Sequence, residues 1–402
     1  MITTINNKHN KLNVPNLRFP EFQGEWEKCI LGDITENFNL RNKDKIQYPM
    51  FSVTNDRGFV PQSEQFEGRD MVGEDIKAYK IIHTNDFAYN PARINVGSIA
   101  MYTGEKPCMI SSLYVCFKTA KEVNNEWLMQ LLKTPKMNYY YNVNGEGGVR
   151  VYLFYPNFAR IKMSIPKIEE QKKIAKLLNL LDERIATQSK IIDKLQTLIR
   201  GIMVELQKQG LKNGTWKKFI LADVLSERSE LNINLHQVFS VSVSKGVVNQ
   251  VEYLGRSFSA KDTSKYHVVH YGDIVYTKSP TGSFPYGIVK QSLNHDNVAV
   301  SPLYGVYKPK NFSTGMFLHQ YFMSEVNTLN YLHPLIQKGA KNTINITNQR
   351  FLENRVAMPI NADTLLVISQ LLRSLNYKIE YQQSLLLQYQ KQKQYLLRQM
   401  FI

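Results

Sequence analysis

The sequence has few cysteines and no long apolar run. Its 402 residues contain three cysteines, Cys29, Cys108 and Cys116, whose spacing matches no metal-binding or redox motif. We expect reduced, partly buried thiols, as in the cytoplasm. No stretch reaches the roughly eighteen apolar residues that a membrane-spanning helix needs, and the first fifteen residues lack the apolar core of a secretion signal. The sequence therefore predicts a cytoplasmic protein without membrane contact.

Catalytic motifs are also missing. There is no G-x-x-x-x-G-K-[ST] loop, so we do not expect ATP hydrolysis by this chain. The segment Asn90–Arg93, Asn-Pro-Ala-Arg, only superficially resembles the Asn-Pro-Pro-aromatic motif of amino-methyltransferases, and no glycine-rich cofactor loop precedes it. His267 and His270 are joined by no carboxylate or cysteine cluster, which argues against a metal site. The chain is predicted to be non-catalytic and to hold no cofactor.

Acidic residues are scarce relative to basic ones. The chain has 50 lysines and arginines against 34 aspartates and glutamates, a net charge of +16. The surplus is spread over every segment instead of being confined to one tail. This distribution suits a long polyanion that lies along the whole molecule, although a basic protein of another kind would have the same composition.

The strongest positive feature is a heptad pattern in residues 166–207. Alternating steps of four and three residues from Ile174 reach apolar side chains at nine of ten positions, which predicts a long helix with a partner helix. The positions are Ile174, Leu178, Leu181, Ile185, Gln188, Ile192, Leu195, Ile199, Ile202 and Leu206. At about 1.5 Å per residue, such a helix is about 60 Å long.

A second and poorer heptad pattern runs from Pro359 to the end of the sequence. Its positions are Ile368, Leu372, Leu375, Ile379, Gln382, Leu386, Tyr389, Lys393, Leu396 and Met400. Lys393 interrupts this seam. Each seam has one glutamine at the same step, and these are either residues that fix register or simply tolerated polar positions. The two helices are predicted to pair antiparallel.

One structural unit occurs twice in the sequence. Trp26–Ile34, WEKCILGDI, corresponds to Trp216–Val224, WKKFILADV, 190 residues later. Further matching pairs follow in the same order: Asn85–Asn90 with Gly272–Thr277, Ile110–Lys118 with Val300–Lys308, and Phe158–Pro166 with Phe351–Pro359. Residues 39–79 and 230–266 show no similarity that we can align. A duplicated scaffold whose intervening loops are free to vary is therefore predicted.

Each copy is predicted to be a mixed α and β domain. Residues 81–90, 112–118 and 159–166 have the composition of strands, and residues from Glu126 and from Gly315 have helical spacing. The predicted fold class is α+β, with two globular domains separated by an antiparallel coiled coil and related by a pseudo-twofold repeat. The predicted boundaries are a flexible arm 1–14, a first domain 15–165, a helix 166–209, a second domain 210–358 and a helix 359–402.

Basic and amide side chains in the loops are the candidates for DNA contact. Arg and Lys match guanine edges, Asn matches adenine, and all of them match phosphates. In the first domain the candidates are Arg41, Lys43, Lys45, Asn55, Arg57, Arg69, Arg93 and Arg150, the last in a GEGGVR loop predicted just before the final strand. In the second domain they are Lys245, Arg256, Lys261, Lys278, Ser279, Thr281, Lys338, Lys341 and Asn342, the last three in a KGAKNT loop.

The pattern resembles one known family, the specificity subunit of type I restriction–modification enzymes. The residues that carry the resemblance are PNLRFPEFQGEWEKCILGDI from Pro15, NDFAYNPARINVGSIAMY from Asn85, SIPKIEEQKKIAKLLNLLDERI from Ser164 and a weaker copy from Met358. The resemblance covers nearly the whole chain. The second copy departs from it because it lacks the Glu-Gln pair at the start of its helix.

The resemblance implies a division of labour. Each globular part would be a target recognition domain that reads one half of a bipartite, asymmetric site in double-stranded DNA. The helices would fix the spacer length and dock two modification subunits, which carry S-adenosylmethionine and methylate adenine. Restriction subunits that use ATP and Mg²⁺ would complete the complex. Two other interpretations stay open: a DNA methyltransferase or nuclease with its own reader, and a coiled-coil protein with two peptide-binding heads.

Overall fold

The structure is a computed structural model with two compact units. It describes residues 3–4, 12–65, 76–147, 151–256, 259–338 and 344–402. The first unit consists of Met1–Gln188 and Leu385–Ile402, and the second of Ser189–Ser384. Each of the two long helices contributes residues to both units.

The first unit is built on a four-stranded antiparallel sheet. The strands of the whole unit are β1 (Thr3–Thr4), β2 (Leu17–Arg18), β3 (Glu27–Ile30), β4 (Thr35–Phe38), β5 (Phe51–Thr54), β6 (Gly58–Pro61), β7 (Lys80–Ile82), β8 (Phe87–Tyr89), β9 (Ile99–Met101), β10 (Cys108–Ile110), β11 (Val115–Thr119) and β12 (Lys162–Ile165). Its helices are α1 (Leu31–Ile34), α2 (Gln62–Gln65), α3 (Asn125–Leu132), α4 (Pro135–Asn144), α5 (Tyr155–Ala159) and α6 (Ile168–Lys212), which continues into the second unit. The strand order is β4-β11-β8-β9, and β12 with β3, β10 with β7, and β5 with β6 form separate pairs.

The second unit repeats this topology. Its strands are β13 (Trp216–Ile220), β14 (Leu225–Glu227), β15 (Phe239–Ser242), β16 (Gly246–Asn249), β17 (His267–Val269), β18 (Ile274–Tyr276), β19 (Val289–Gln291), β20 (Val298–Val300), β21 (Gly305–Pro309), β22 (Gln337–Lys338), β23 (Ile344–Asn345) and β24 (Arg355–Pro359). Its helices are α7 (Gln250–Leu254), α8 (Phe312–Phe322), α9 (Glu325–Leu332), α10 (Asn348–Phe351) and α11 (Ala362–Gln399). The sheet order β14-β21-β18-β19 matches the order β4-β11-β8-β9 of the first unit strand by strand. The predicted duplicated α+β fold is therefore confirmed.

Equivalent aromatic side chains fill the two cores. In the first unit, the rings of Tyr89 and Phe117 each lie 5.2 Å from that of Phe158. In the second, Tyr276 and Tyr307 lie 4.8 and 4.7 Å from the ring of Phe351. These residues lie in the matched sequence blocks of the repeat. The residues that recur in both copies therefore form the buried cores.

The cysteines are part of this scaffold. Cys108 and Cys116 are fully buried at positions where the second copy has Val298 and Val306. Burial raises the pKa of both thiols to about 12, so they remain uncharged and act as small apolar side chains.

Several predicted elements are divided differently in the structure. The segment 81–90 forms two strands, β7 and β8, because the Asp86 carboxylate accepts the His83 backbone N–H at 2.8 Å and closes a turn between them. The helical stretch from Glu126 divides into α3 and α4, because Thr134 caps a new helix with Pro135 in its first turn. The short helix α5 precedes the last strand, β12. Of the predicted flexible arm, residues Thr3–Thr4 pair with β2 as strand β1.

The described parts of residues 39–79 and 230–266, whose sequences do not align, share local structure. Both contain a turn closed by a fully buried asparagine: Asn42 exchanges hydrogen bonds with Ile46, and Asn232 with His236. A β-hairpin and a short helix follow each turn. Phe-Ser-Val at Phe51 and at Phe239 marks this correspondence at an offset of 188 residues, but three matching residues are too few to indicate a repeat by themselves.

The long helices bury their heptad seams. All ten seam positions of α6 and all ten of α11 are buried or half-buried. Within the first unit the helices run antiparallel, because Asp182 contacts Lys393 and Arg184 lies over the ring of Tyr389. The observed bounds, Ile168–Lys212 and Ala362–Gln399, differ by a few residues from the predicted helices, and the domain boundaries remain predictions.

Candidate nucleic-acid interface

The tip of the hairpin β5–β6 exposes two of the candidate residues. Thr54 pairs with Gly58, whose φ of +67° closes the turn. The Thr54 hydroxyl accepts the backbone N–H of Arg57 at 3.1 Å. Asn55 and Arg57 are exposed there. Arg57 lies 3.9 Å from the Glu64 carboxylate, and because both side chains are more than half exposed, the guanidinium is available to a ligand.

A second candidate loop lies against this tip. The Ser98 hydroxyl donates to the Val53 carbonyl at 2.7 Å, which joins the hairpin to β9. A side chain at Gly97 would meet the Asn55 carbonyl oxygen at 3.2 Å, so the two turns are in close contact. Arg93 is exposed on the same loop, between Asn90 and Gly97. The structure therefore brings Asn55, Arg57 and Arg93 to one surface of the first unit, which we call the first tip surface.

A third segment reaches this surface and was missed by the sequence reasoning. The backbone N–H of Leu153 donates to the Pro91 carbonyl at 3.0 Å. On either side of Leu153, the exposed rings of Tyr152 and Phe154 stack at 6.3 Å with an interplanar angle of 13°. Exposed aromatic rings beside basic side chains suit stacking on bases or sugars. The sequence Tyr-Leu-Phe-Tyr alternates exposed and buried side chains, but a β-strand has the same alternation, so the pattern did not indicate a surface segment.

Three other candidates lie at a different place in the first unit. Arg41, Lys43 and Lys45 are exposed on the turn that Asn42 closes, and this turn enters the hairpin at its base. Lys45 adopts the left-handed conformation, with φ of 53°. Four strand residues, about 13 Å, separate base from tip, so these lysines and Arg41 form a separate basic turn.

The second unit has an equivalent hairpin tip. The Ser242 hydroxyl accepts the backbone N–H of Lys245 at 3.4 Å, as Thr54 does for Arg57, and Gly246 has φ of +73°. Lys245 is exposed, and its ammonium lies 5.7 Å from the ring centroid of Tyr253. A basic side chain thus precedes the turn glycine in both copies.

The loop between β18 and β19 corresponds to the Arg93 loop. It contains Lys278, Ser279 and Thr281, and the Thr281 hydroxyl donates to the Ser279 carbonyl at 3.1 Å. Lys278 has φ of 60°, and a side chain at Gly287 would meet its backbone nitrogen at 2.8 Å. Lys278 is half-buried, and burial lowers the pKa of its ammonium, with Glu227 opposing this shift.

The remaining candidates are less defined. Arg256 and Lys261 are exposed on the segment after α7. Arg69, Arg150, Lys341 and Asn342 lie outside the described residues, as does the side chain of Lys338, whose backbone belongs to β22. The predicted glycine-loop contacts therefore stay predictions.

The histidine pair has partners that the sequence did not indicate. The Nε2 atom of His270 lies 2.7 Å from the Glu230 carboxylate, and Arg228 pairs with Asp273 at 2.6 Å. Glu230 is thus a single carboxylate partner of His270, not a cluster around both histidines. In the described ranges, no group of three His, Cys, Asp or Glu side chains could hold a metal ion. No helix of the described chain is long and apolar enough to cross a membrane.

The chain is similar in sequence to one protein family and to proteins of known description. Residues 23–197 match the family described as type I restriction modification DNA specificity domain. A chain described as a type I restriction enzyme MjaX specificity subunit, from Methanocaldococcus jannaschii, is 23% identical over 240 residues, 57% of this chain and 56% of that one. The MjaVIII specificity subunit of the same organism is 26% identical over 214 residues, 52% of this chain and 47% of that one. The chain thus spans about half the length of the curated relatives it matches.

A solved structure has the same fold. The type I restriction-modification system S subunit from M. genitalium superposes with a TM-score of 0.59 at 11% identity, covering 97% of this chain and 99% of that one. At this identity the likeness concerns the fold, which includes both copies of the repeat. The resemblance predicted from the sequence is therefore confirmed: this chain is similar to the DNA specificity subunits of type I restriction–modification systems.

Proposed function

We propose that this chain is the sequence-specific DNA-recognition subunit of a type I restriction–modification complex. Each unit reads one half of a bipartite, asymmetric site in double-stranded DNA through its hairpin tip and the loops beside it. Two modification subunits with S-adenosylmethionine methylate adenine, and restriction subunits use ATP and Mg²⁺. The chain contributes no catalytic residue, which accords with a sequence that has neither a phosphate loop nor a methyltransferase motif.

One observation carries the proposal. In each unit an exposed basic side chain, Arg57 or Lys245, precedes a left-handed glycine at the tip of the same hairpin, held by the same hydroxyl-to-backbone contact. The two tips differ in their other side chains, as two readers of different sequences should. Hairpin tips and loops that carry Arg, Lys and Asn can reach both phosphates and base edges.

The test measures the two half-sites separately. Adenine methylation would first be mapped in cells that contain this chain and its partner subunits, which gives the two half-sites. We expect Arg57→Ala and Lys245→Ala each to weaken binding to that duplex by about 1–3 kcal/mol, and each to change the base preference in one half only. The control is the pair Lys118→Ala and Lys308→Ala, because these exposed lysines occupy equivalent positions on the central sheet strands β11 and β21.

Three outcomes would overturn the proposal. Identical responses of both tip variants to both half-sites would contradict one reader per half. Methyl transfer or ATP hydrolysis by the partner-free chain would favour an enzyme with its own reader. Duplex binding that is weak and insensitive to salt would favour peptide-binding heads, since neutralisation of phosphates makes DNA affinity fall steeply with salt.

A further inference from the structure

Lys393 occupies a seam position of α11 and nevertheless has a partner. Its ammonium lies 2.5 and 2.7 Å from the two carboxylate oxygens of Asp182, which follows the seam position Leu181 on α6. The Lys393 side chain is 17% exposed, so this charge is largely removed from water. A lysine that the sequence shows as an interruption of the seam is therefore half of an ion pair between the two long helices.

The same carboxylate also binds the globular part of the first unit. Gln130 of α3 is buried, and its Nε2 atom donates to Asp182 Oδ2 and to Asn179 Oδ1, both at 2.9 Å. Asn179 in turn donates to Glu126 at 2.8 Å. One aspartate thus connects α6, α11 and α3.

Only one helix register allows this pairing. The residues one or two heptads from Asp182 along α6 include Ala175, Ser189 and Gln196, and none of them has a carboxylate. Most other seam positions are apolar, so a shift by one heptad would place apolar residues against apolar residues again. Apolar contacts alone discriminate poorly between such registers, whereas a charged pair is matched in one of them.

Lys393 also makes one shifted register unfavourable. A shift of α11 by seven residues in one direction would bring Lys393 to the place of Met400, which is fully buried between α6 and the first-unit core. A shift in the other direction would leave Asp182 without an ammonium from α11. The pKa of Lys133, just after α3, is lowered by burial and by Lys393, and Asp182 opposes that shift.

We propose that Asp182 and Lys393 are positioning residues that select a single register of the α6–α11 pair, with Gln130 fixing the first globular part to that register. If the chain is the DNA-recognition subunit proposed above, this register also sets the spacer between the half-sites. The competing explanation is that the core contacts of Leu396, Met400 and Phe401 set the register by themselves.

The primary test reads the register without DNA. Spin labels would be attached at Glu183 and Lys391, exposed residues of α6 and α11 in the first unit, after Cys29→Ser, and their distance measured by double electron–electron resonance. The unsubstituted seam should give one distance. We expect Lys393→Leu, and the length-conserving Lys393→Met, to add a second, longer distance component, because a slip of one heptad moves one label by about 10 Å along the helix axis relative to the other. Lys176→Leu removes an exposed lysine of α6 outside the seam and should leave the single distance unchanged.

The spacer provides the second measurement. With partner subunits present, Lys393→Leu should add methylated sites whose spacer differs by about three base pairs, since duplex rise is about 3.4 Å per pair. A second label distance without any DNA recognition would support the register assignment and contradict the proposed function. A single unchanged distance in both Lys393 variants would overturn the inference and assign the register to the core contacts.

Discussion

At the residue scale, Lys290 is a buried charge without an acidic partner in the described structure. It lies in β19 and is 3% exposed. Its ammonium donates a hydrogen bond to the Met323 sulfur at 3.1 Å. Burial lowers the pKa of Lys290 to about 8. The neighbouring His319 stays neutral, because burial lowers its pKa to about 3 and its Nδ1 atom accepts the Gln291 backbone N–H at 3.0 Å.

We predict that Lys290→Met stabilises the protein in a pH-dependent way. A lysine whose pKa is lower in the folded than in the unfolded state destabilises fully below about pH 8, and this penalty disappears as the pH rises towards about 10.5. The shift corresponds to about 3 kcal/mol at neutral pH. Thermal unfolding from pH 7 to 10.5 should show a higher midpoint for the variant at pH 7 and a gain that falls as the pH rises. Lys308→Met is the exposed control, and a gain independent of pH would contradict the prediction.

At the element scale, the two long helices are anchored by different contacts. In α6, Glu170 accepts two hydrogen bonds of 2.8 Å from Arg18, and Arg18 and Glu170 are 5% and 2% exposed. The start of α11 lacks this Glu-Gln pair. About three turns further along α11, Arg373 lies 5.2 and 5.3 Å from the ring centroids of Phe312 and Tyr377, and Phe312 stacks on Tyr271 at 5.2 Å.

We predict that the two anchors respond unequally to truncation. Arg18→Ala leaves a buried carboxylate unpaired and should lower the free energy of unfolding by about 3–5 kcal/mol. Arg373→Ala removes partly exposed cation–π contacts and should cost about 1 kcal/mol. Chemical denaturation monitored by far-ultraviolet circular dichroism would measure both.

The double variant Arg18→Met/Glu170→Met provides the matched control for the first anchor. It removes both charges, so no ion is left unpaired, and most of the lost stability should return. A double variant as unstable as Arg18→Ala would mean that the hydrogen bond from Arg18 to the Gly24 carbonyl, not the ion pair, is the essential contact.

At the scale of the whole molecule, the helices are proposed to determine the spacer of the recognised site. Insertion of four residues after Gln188 lengthens α6 by about 6 Å and rotates the downstream part of the helix by roughly 400°, so the seam stays nearly in phase. A matching insertion after Gln382 should be needed for full stability, because one helix alone would be mismatched.

The doubly lengthened chain should direct methylation to the same half-sites at a spacer longer by one or two base pairs. Sequencing of methylated adenines in cells with the partner subunits would measure this. An unchanged spacer in a folded, active complex would show that another part of the complex fixes the distance.

The sequence by itself determined the elements whose pattern repeats over many residues. The heptads identified both long helices, because a seam buried along its whole length requires an apolar residue at nearly every step. The matched blocks identified the duplicated scaffold, since rings such as Tyr89 and Tyr276 fill equivalent places in two cores. The basic residues at the hairpin tips were predicted as candidates by composition and loop position, although not as equivalent positions.

Only the tertiary structure decided which residues meet. The partnership of Lys393 with Asp182 joins residues 211 positions apart, and no periodicity within either helix indicates it. The convergence of Asn55, Arg93 and Phe154 on one surface likewise depends on hydrogen bonds between separate loops. The sequence does not indicate that the Asn42 and Asn232 turns are equivalent. Each asparagine side chain bonds to backbone groups, so the neighbouring side chains can differ between the two turns. A pattern that repeats along the chain can be recognised in the sequence, whereas a contact between two single residues depends on how the rest of the chain packs around them.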